Sequence, residues 1–264
     1  MRYAASLASV QPPKFLSSFG RNRGRSLRPY QQGLVDELLP KIGITLTSPL
    51  GEVGALLGAA GEGMGRVGIV SPHPKSVGAH LDLFQGRSFN ALALEIGFGG
   101  GEHLLAQAAH NPDTLFIGCE PFINGVAKCL AGIDAQKLTN IRLFTRDARE
   151  IIEALPDACL DSVFILFPDP WPKLRHNKRR LVNDKTLSML ARTHKKGGRL
   201  LLATDHVDYS VWMLEVLQNH PDYQWTAKEK ADWNNPPSDW TETKYQRKTS
   251  AEGREPVFME CVRR

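Results

Sequence analysis

From Ala91 onward, short apolar runs alternate with segments whose apolar residues recur at helical spacing. The runs Ala91 to Ile96, Thr114 to Cys119, Ile141 to Thr145, Ser162 to Phe167 and Arg199 to Ala203 predict buried strands. Between them, Glu102 to His110, Phe122 to Leu138, Ala148 to Leu155 and Leu181 to His194 predict helices. Breakers mark their ends: Asn111-Pro112 stops the first helix, Pro156 the third and Lys195-Lys196-Gly197-Gly198 the fourth. This alternation implies a parallel sheet. A helix from Val207 to Asn219 and strands at Tyr223 to Ala227 and Val257 to Val262 follow, and two such terminal strands fit an antiparallel edge. The predicted fold class is α/β, Rossmann-like, with a mostly parallel seven-stranded sheet and an antiparallel edge strand.

The N-terminal third lacks this pattern. Eight glycines between Gly43 and Gly68 are too many for element interiors, so 36–89 is read as a glycine-rich approach segment packed on or leading into a domain of residues 90–264. Leu34 to Leu39 reads as a short helical turn before Pro40. The first 35 residues carry Arg2, Lys14, Arg21, Arg23, Arg25 and Arg28 without one acid, which describes a basic, mobile arm suited to a polyanion. A transit peptide or a solvated tail has a similar composition, although Gly20 and Gly24 interrupt any helical apolar face. No apolar run approaches the ~20 residues of a membrane helix. A soluble, cytoplasmic protein, monomer or homodimer, is expected. Its four cysteines form no CxxC pair and no histidines cluster at zinc-ligand spacing, so neither disulfides nor a metal are expected.

The first strand runs into Glu95-Ile96-Gly97-Phe98-Gly99-Gly100-Gly101, and Gly97, Gly99 and Gly101 let the backbone turn tightly and approach a ligand. A dinucleotide fingerprint would carry glycine where Glu102 stands, and a carboxylate at that helix N-terminus occupies the site a diphosphate would claim. Glu120, at the end of the second strand, is placed to accept from both hydroxyls of a ribose. Asp147 and Ala148, after the third, are placed to meet an adenine edge, and Glu95 faces the opposite end of such a ligand. An acidic lining suits the sulfonium and ammonium of S-adenosylmethionine and repels the phosphates of NAD. Each acid also has a structural reading: Asp147 as a helix N-cap, Glu102 as a dipole partner, Glu120 as a solvated strand end.

The fourth strand ends in Phe167-Pro168-Asp169-Pro170-Trp171-Pro172-Lys173, where three prolines in five residues fix φ and hold Asp169 and Trp171 in nearly one conformation. Lys173, Arg175, Lys178, Arg179 and Arg180 then put five cations within eight residues, with His176 among them. A solvated face explains many such runs. Adjacency to a rigid loop at the sheet's carboxyl end points instead to phosphate binding.

Leu94 to Gly101, Gly118-Cys119-Glu120, Pro168 to Arg180, Ala203-Thr204-Asp205 and Thr243-Lys244-Tyr245 together resemble the TrmB-type bacterial tRNA (guanine-N7)-methyltransferase family. The resemblance covers about residues 90 to 264. It implies a class I S-adenosylmethionine-dependent methyltransferase that acts on a guanine of tRNA, position 46 of the variable loop. Its cofactor contacts would fall on Glu95, Gly97, Gly99, Glu120, Asp147, Ala148 and Asp169, with Asp169 also catalytic. Its substrate contacts would fall on Lys173, Asp205, Thr243, Lys244, Tyr245 and Gln246, and its RNA contacts on Arg175, Lys178, Arg179 and Arg180. One departure is visible: the family carries glutamate where this chain has Gln246, and an amide can hydrogen-bond but cannot balance positive charge. Other readings share the fold. Glu102 and the further acids speak against an NAD-dependent oxidoreductase. A tRNA-binding module without turnover is left open by Gln246, and another methyl acceptor would leave the basic run without a purpose.

Overall fold

The computed structural model describes residues 24–46 and 87–264. Among them the strands are β1 (Ala91–Ile96), β2 (Thr114–Cys119), β3 (Ile141–Phe144), β4 (Leu160–Leu166), β5 (His194–Thr204), β6 (Tyr223–Trp225) and β7 (Val257–Arg263). They form one sheet in the order β3-β2-β1-β4-β5-β7-β6. The first five pair in parallel, and β7 runs antiparallel to both β5 and β6, so the reversed strand lies beside the outermost one. Chain order reverses between β1 and β4, which opens a crevice at their carboxyl ends, where α/β sheets bind ligands.

Period-two alternation sends each strand's side chains to two separate cores. Leu92, Leu94 and Ile96 of β1 pack with α5 (Ala148–Ala154), α6 (Asp184–Thr193) and α7 (Val207–Asn219). Ala93 packs on the opposite face with α3 (Glu102–His110) and α4 (Ile123–Gln136). That second face also carries α1 (Pro29–Glu37) and α2 (Leu39–Ile42), whose Leu34, Val35, Leu38, Leu39 and Ile42 are half-buried against it. The Tyr30 hydroxyl donates to Asp134 of α4 at 2.9 Å, and the Ile44 N–H to the Leu143 carbonyl of β3 at 2.8 Å.

The predicted elements recur, several with identical bounds, and the departures have local causes. The turn expected at Leu34 to Leu39 starts earlier, because Pro29 at the first helical position pre-sets φ for α1. Part of the segment read as an arm is therefore helical; residues 1–23 of it, and 47–86 of the glycine-rich segment, lie outside the described residues. The helix expected from Leu181 begins only after Asn183, whose side chain accepts from the Thr186 N–H at 3.0 Å. Its expected stop at Lys195–Gly198 is instead a bulge within β5. Strand pairing jumps from Leu160↔His194 to Ser162↔Arg199, and Gly197 adopts φ 78°. A 3-10 turn at Leu174–Arg179 and two helices, α8 (Ala231–Asn234) and α9 (Lys244–Ala251), fill stretches for which no element is predicted.

Candidate active site

Parallel register brings five loops to one edge. Ile96 is level with Cys119 and Ile165, Cys119 with Phe144, and Leu166 with Ala203. The glycine loop, Glu120, Asp147, the proline loop and Asp205 consequently leave the sheet side by side.

The glycine loop is left-handed at Gly97 (φ 79°), Gly99 (φ 55°) and Gly101 (φ 83°). At Gly101 a Cβ would meet Cys129 Sγ at 2.7 Å, and at Gly125 of α4 it would meet the Gly99 carbonyl at 2.3 Å, so α4 packs directly on the loop. Over Gly97 and Gly99 the space is open, with nothing within 4 Å of a built Cβ. The Glu120 carboxylate stands beneath, accepting from the Gly99 N–H through Oε2 and the Phe122 N–H through Oε1, both at 2.9 Å. Burial raises the Glu120 carboxyl above its ordinary range, the two N–H groups pull it back, and the nearby Asp169 charge raises it again. Oε1 and Oε2 each keep a lone pair beyond these bonds.

Glu95 and Asp147 have protein partners. Buried Glu95 lies within hydrogen-bond distance of His103 Nδ1, at 2.8 Å, and the His103 ring lies 4.9 Å from Phe164 and 5.4 Å from Trp240. Asp147 caps α5 by accepting from the Arg149 N–H at 3.0 Å, and its carboxylate pairs with the Arg149 guanidinium. Ala148 is buried as the first residue of that helix.

The proline loop is strained at both ends: Phe167 has φ 51° and Trp171 φ 44°, left-handed values that bulky residues adopt only when their surroundings hold them. Phe167 is fixed by its N–H on the Ala203 carbonyl at 2.8 Å and by rings of Tyr245 at 5.2 Å and Trp240 at 6.3 Å. Trp171 lies edge-on to His176 at 5.9 Å and under the Arg179 guanidinium at 5.0 Å. Asp169, between them, is exposed.

Of the basic run, Lys173, Arg175 and Lys178 are exposed and Arg179 half-buried. Arg180, also expected to contact RNA, lies inward. Its side chain is 1% exposed, and the guanidinium donates to the Pro170 carbonyl at 2.9 Å and pairs with Asp208.

The C-terminal segment closes the site. Thr243 caps α9, accepting from the Gln246 N–H at 3.1 Å, while Lys244 and Tyr245 face solvent. Buried Asp205 pairs with Arg254 at 2.6 Å and accepts from the Tyr245 hydroxyl at 3.4 Å. Buried Gln246 Oε1 accepts from the Trp240 indole at 2.8 Å. His103, Trp240, Arg149 and Arg254 are additions to the expected set. Only α9 left a trace in the sequence, the cap pattern Thr-x-x-Gln at Thr243 to Gln246. Among the described residues no group of three His, Cys, Asp or Glu side chains could hold a metal, and no helix is long and apolar enough to cross a membrane.

A family model described as a putative methyltransferase matches residues 90–259. Among curated relatives, a tRNA (guanine-N(7)-)-methyltransferase of Caulobacter vibrioides is 42% identical over 253 residues, covering 96% of this chain and 97% of that one. A protein of the same description from Nitrobacter hamburgensis is 42% identical over 92% of this chain and 85% of its own length. One from Rhodospirillum rubrum is 41% identical over 96% of this chain and 90% of its own.

Proposed function

The chain belongs to the tRNA (guanine-N(7)-)-methyltransferase family, and from that premise we propose that it transfers the methyl group of S-adenosylmethionine to N7 of a guanine in tRNA, at position 46 of the variable loop. The observation that carries this reading is the meeting of two loops. The glycine loop follows β1 and the proline loop follows the neighbouring β4, with Ile96 level with Ile165, so a donor over the first lies beside an acceptor on the second.

The residues present fit the donor. The space over Gly97 and Gly99 is open to a close-lying ligand, and Glu120, already oriented by two backbone N–H groups, keeps acceptor capacity for a ribose. When bound, S-adenosylmethionine supplies an electrophilic methyl on a cationic sulfur. Asp147 keeps its cap and its Arg149 partner on this reading, so the adenine edge meets Asp147 through remaining lone pairs or through the backbone at Ala148. Glu95 is held by His103 under the start of the loop, with its second oxygen left for a donor on the ligand.

Guanine N7 presents a free lone pair on its Hoogsteen edge and needs no deprotonation. The chain therefore has to orient the base and stabilise the charge that moves onto it. Asp169 is the carboxylate suited to that role, exposed within a loop whose ends are held. Asp205, shared with Arg254 and Tyr245, is the more neutralised of the two and orients rather than screens. Asp169→Asn should lower the methylation rate on the order of a hundredfold. Full rate with unchanged cofactor affinity would rule out this role.

The reading is tested by incubating the protein with unmodified tRNA and labelled S-adenosylmethionine, followed by strand scission specific for N7-methylguanine. Scission is expected at position 46 and absent from a transcript carrying adenine there. Label without scission, or scission elsewhere, overturns the assignment.

A further inference from the structure

We propose that Arg180 is a positioning residue of this reaction, holding the proline loop, and with it Asp169, through the carbonyl of Pro170. The inference rests on the proposed methyl transfer only for what Asp169 does; the clamp itself is read from geometry. By sequence Arg180 closes the run of cations, yet its side chain is 1% exposed, while the partner carboxylate of Asp208 is 65% exposed. Its guanidinium carbon lies 5.0 Å from the Tyr209 ring and 5.1 Å from the Trp212 ring, a slot between two aromatic residues of α7. Both rings are fixed from outside the slot. The Trp212 indole donates to the Val182 carbonyl at 2.8 Å, and the Tyr209 hydroxyl accepts from the Val182 N–H at 3.2 Å.

From this slot Nε donates to the Pro170 carbonyl at 2.9 Å. That carbonyl belongs to the peptide joining Pro170 to Trp171, whose left-handed φ of 44° is costly for such a residue. Rotating this peptide would relieve Trp171 and turn the carbonyl away, so a donor fixed on the carbonyl selects the strained arrangement. Asp169 immediately precedes Pro170 and moves with it. A lysine cannot substitute: its ammonium is a point charge without the flat face that fills the aromatic slot and without the fork that serves a carbonyl and a carboxylate together. Burying a guanidinium is expensive, and an apolar side chain would fill the slot without that cost. What the guanidinium adds is direction.

The test uses the full-length protein with Arg180→Lys, Arg180→Met, Arg180→Ala and Asp208→Asn, and Arg179→Ala as the comparison. Initial rates give kcat and KM for tRNA, filter binding across salt gives the slope of tRNA affinity, and hydrogen exchange follows the peptide spanning 169–175. Arg180→Lys is expected to lower kcat on the order of tenfold to a hundredfold, as displacement of a catalytic group by about 1 Å does. KM for tRNA and the salt slope should stay near wild type, and exchange in the loop should rise. Asp208→Asn should follow in the same direction with a smaller loss, and added methylguanidinium should restore part of the rate to Arg180→Ala. Unchanged kcat and exchange in Arg180→Lys and Asp208→Asn overturn the proposal, as does a salt slope reduced as much as by Arg179→Ala, which would make Arg180 a phosphate contact. If Arg180→Met does not fold, the lysine and Asp208 variants carry the test. A wild type without N7 scission refutes the function instead, while loop exchange still reports on the clamp.

Discussion

Gln246 stands where the resembling family carries a glutamate, and its amide oxygen is engaged, accepting from the Trp240 indole at 2.8 Å. Trp240 in turn lies 5.4 Å from His103, which holds Glu95 at the root of the glycine loop. The residue thus belongs to a chain of contacts ending at the glycine loop, and as an amide it contributes no charge. Glutamate could accept from the same indole. We therefore expect Gln246→Glu to keep the wild-type urea midpoint and methylation rate, and Gln246→Leu to lower stability by roughly 1 kcal/mol by stranding the half-buried indole N–H. A rate lost in both variants would show that the amide itself is required. The acids at strand ends were legible as residues, because their spacing follows the strand period. Their partners were not: Trp240 reaches His103, and Arg254 reaches Asp205, from distant parts of the chain that no local pattern connects.

Among the elements, those with a one-sided apolar pattern were legible to within a residue or two. Helix α9 left only its N-terminal cap pattern, since Gln246 and Thr249 are its only buried residues and neither is apolar. The start of β5 was misread for a different reason, as Gly197-Gly198 stops a helix and bulges a strand equally well. That extra strand length buries His194, whose Nδ1 lies 3.1 Å from the Tyr223 hydroxyl. Burial lowers its pKa from an ordinary 6.5 to about 4. Between those values the unfolded chain binds a proton that the folded one excludes, so stability rises with pH across the window. The contribution is full above 6.5 and is lost as pH falls toward 4, by about 3 kcal/mol at most. Urea midpoints of wild type and His194→Phe should accordingly converge with falling pH, with the wild type losing more. Parallel curves would show that His194 titrates normally.

At the scale of the molecule, two cationic segments, one near the N-terminus and one in the middle of the chain, lie at the carboxyl edge of the sheet. The run from Lys173 follows β4, while the N-terminal segment is tied to α4 beside the glycine loop: Asn124 accepts from the Gly24 N–H at 2.8 Å and donates to the Arg25 carbonyl at 2.6 Å. Phe122, next to that contact, is the residue whose N–H holds Glu120. A Cβ on Gly24 would lie 2.8 Å from Asn124 Oδ1 and 2.9 Å from Phe122 Cζ, so a larger residue there has to displace the side chains that anchor the segment. Both basic segments were legible as charge, but the anchor of the N-terminal one on α4 was not, because the contact spans a hundred residues of sequence. That anchor has a measurable consequence. Each phosphate contact removed should reduce the salt slope of tRNA binding by about 1. Alanine at Arg175 and Lys178 should therefore flatten it, and Gly24→Ala, which removes no charge, should flatten it further by releasing the arm from the site's edge. Combined with the Arg175 and Lys178 changes, Gly24→Ala should add to their effect, as independent phosphate contacts do. A Gly24→Ala protein that folds and binds with the wild-type slope would mean that the arm meets tRNA independently of its Asn124 anchor, or does not meet it at all.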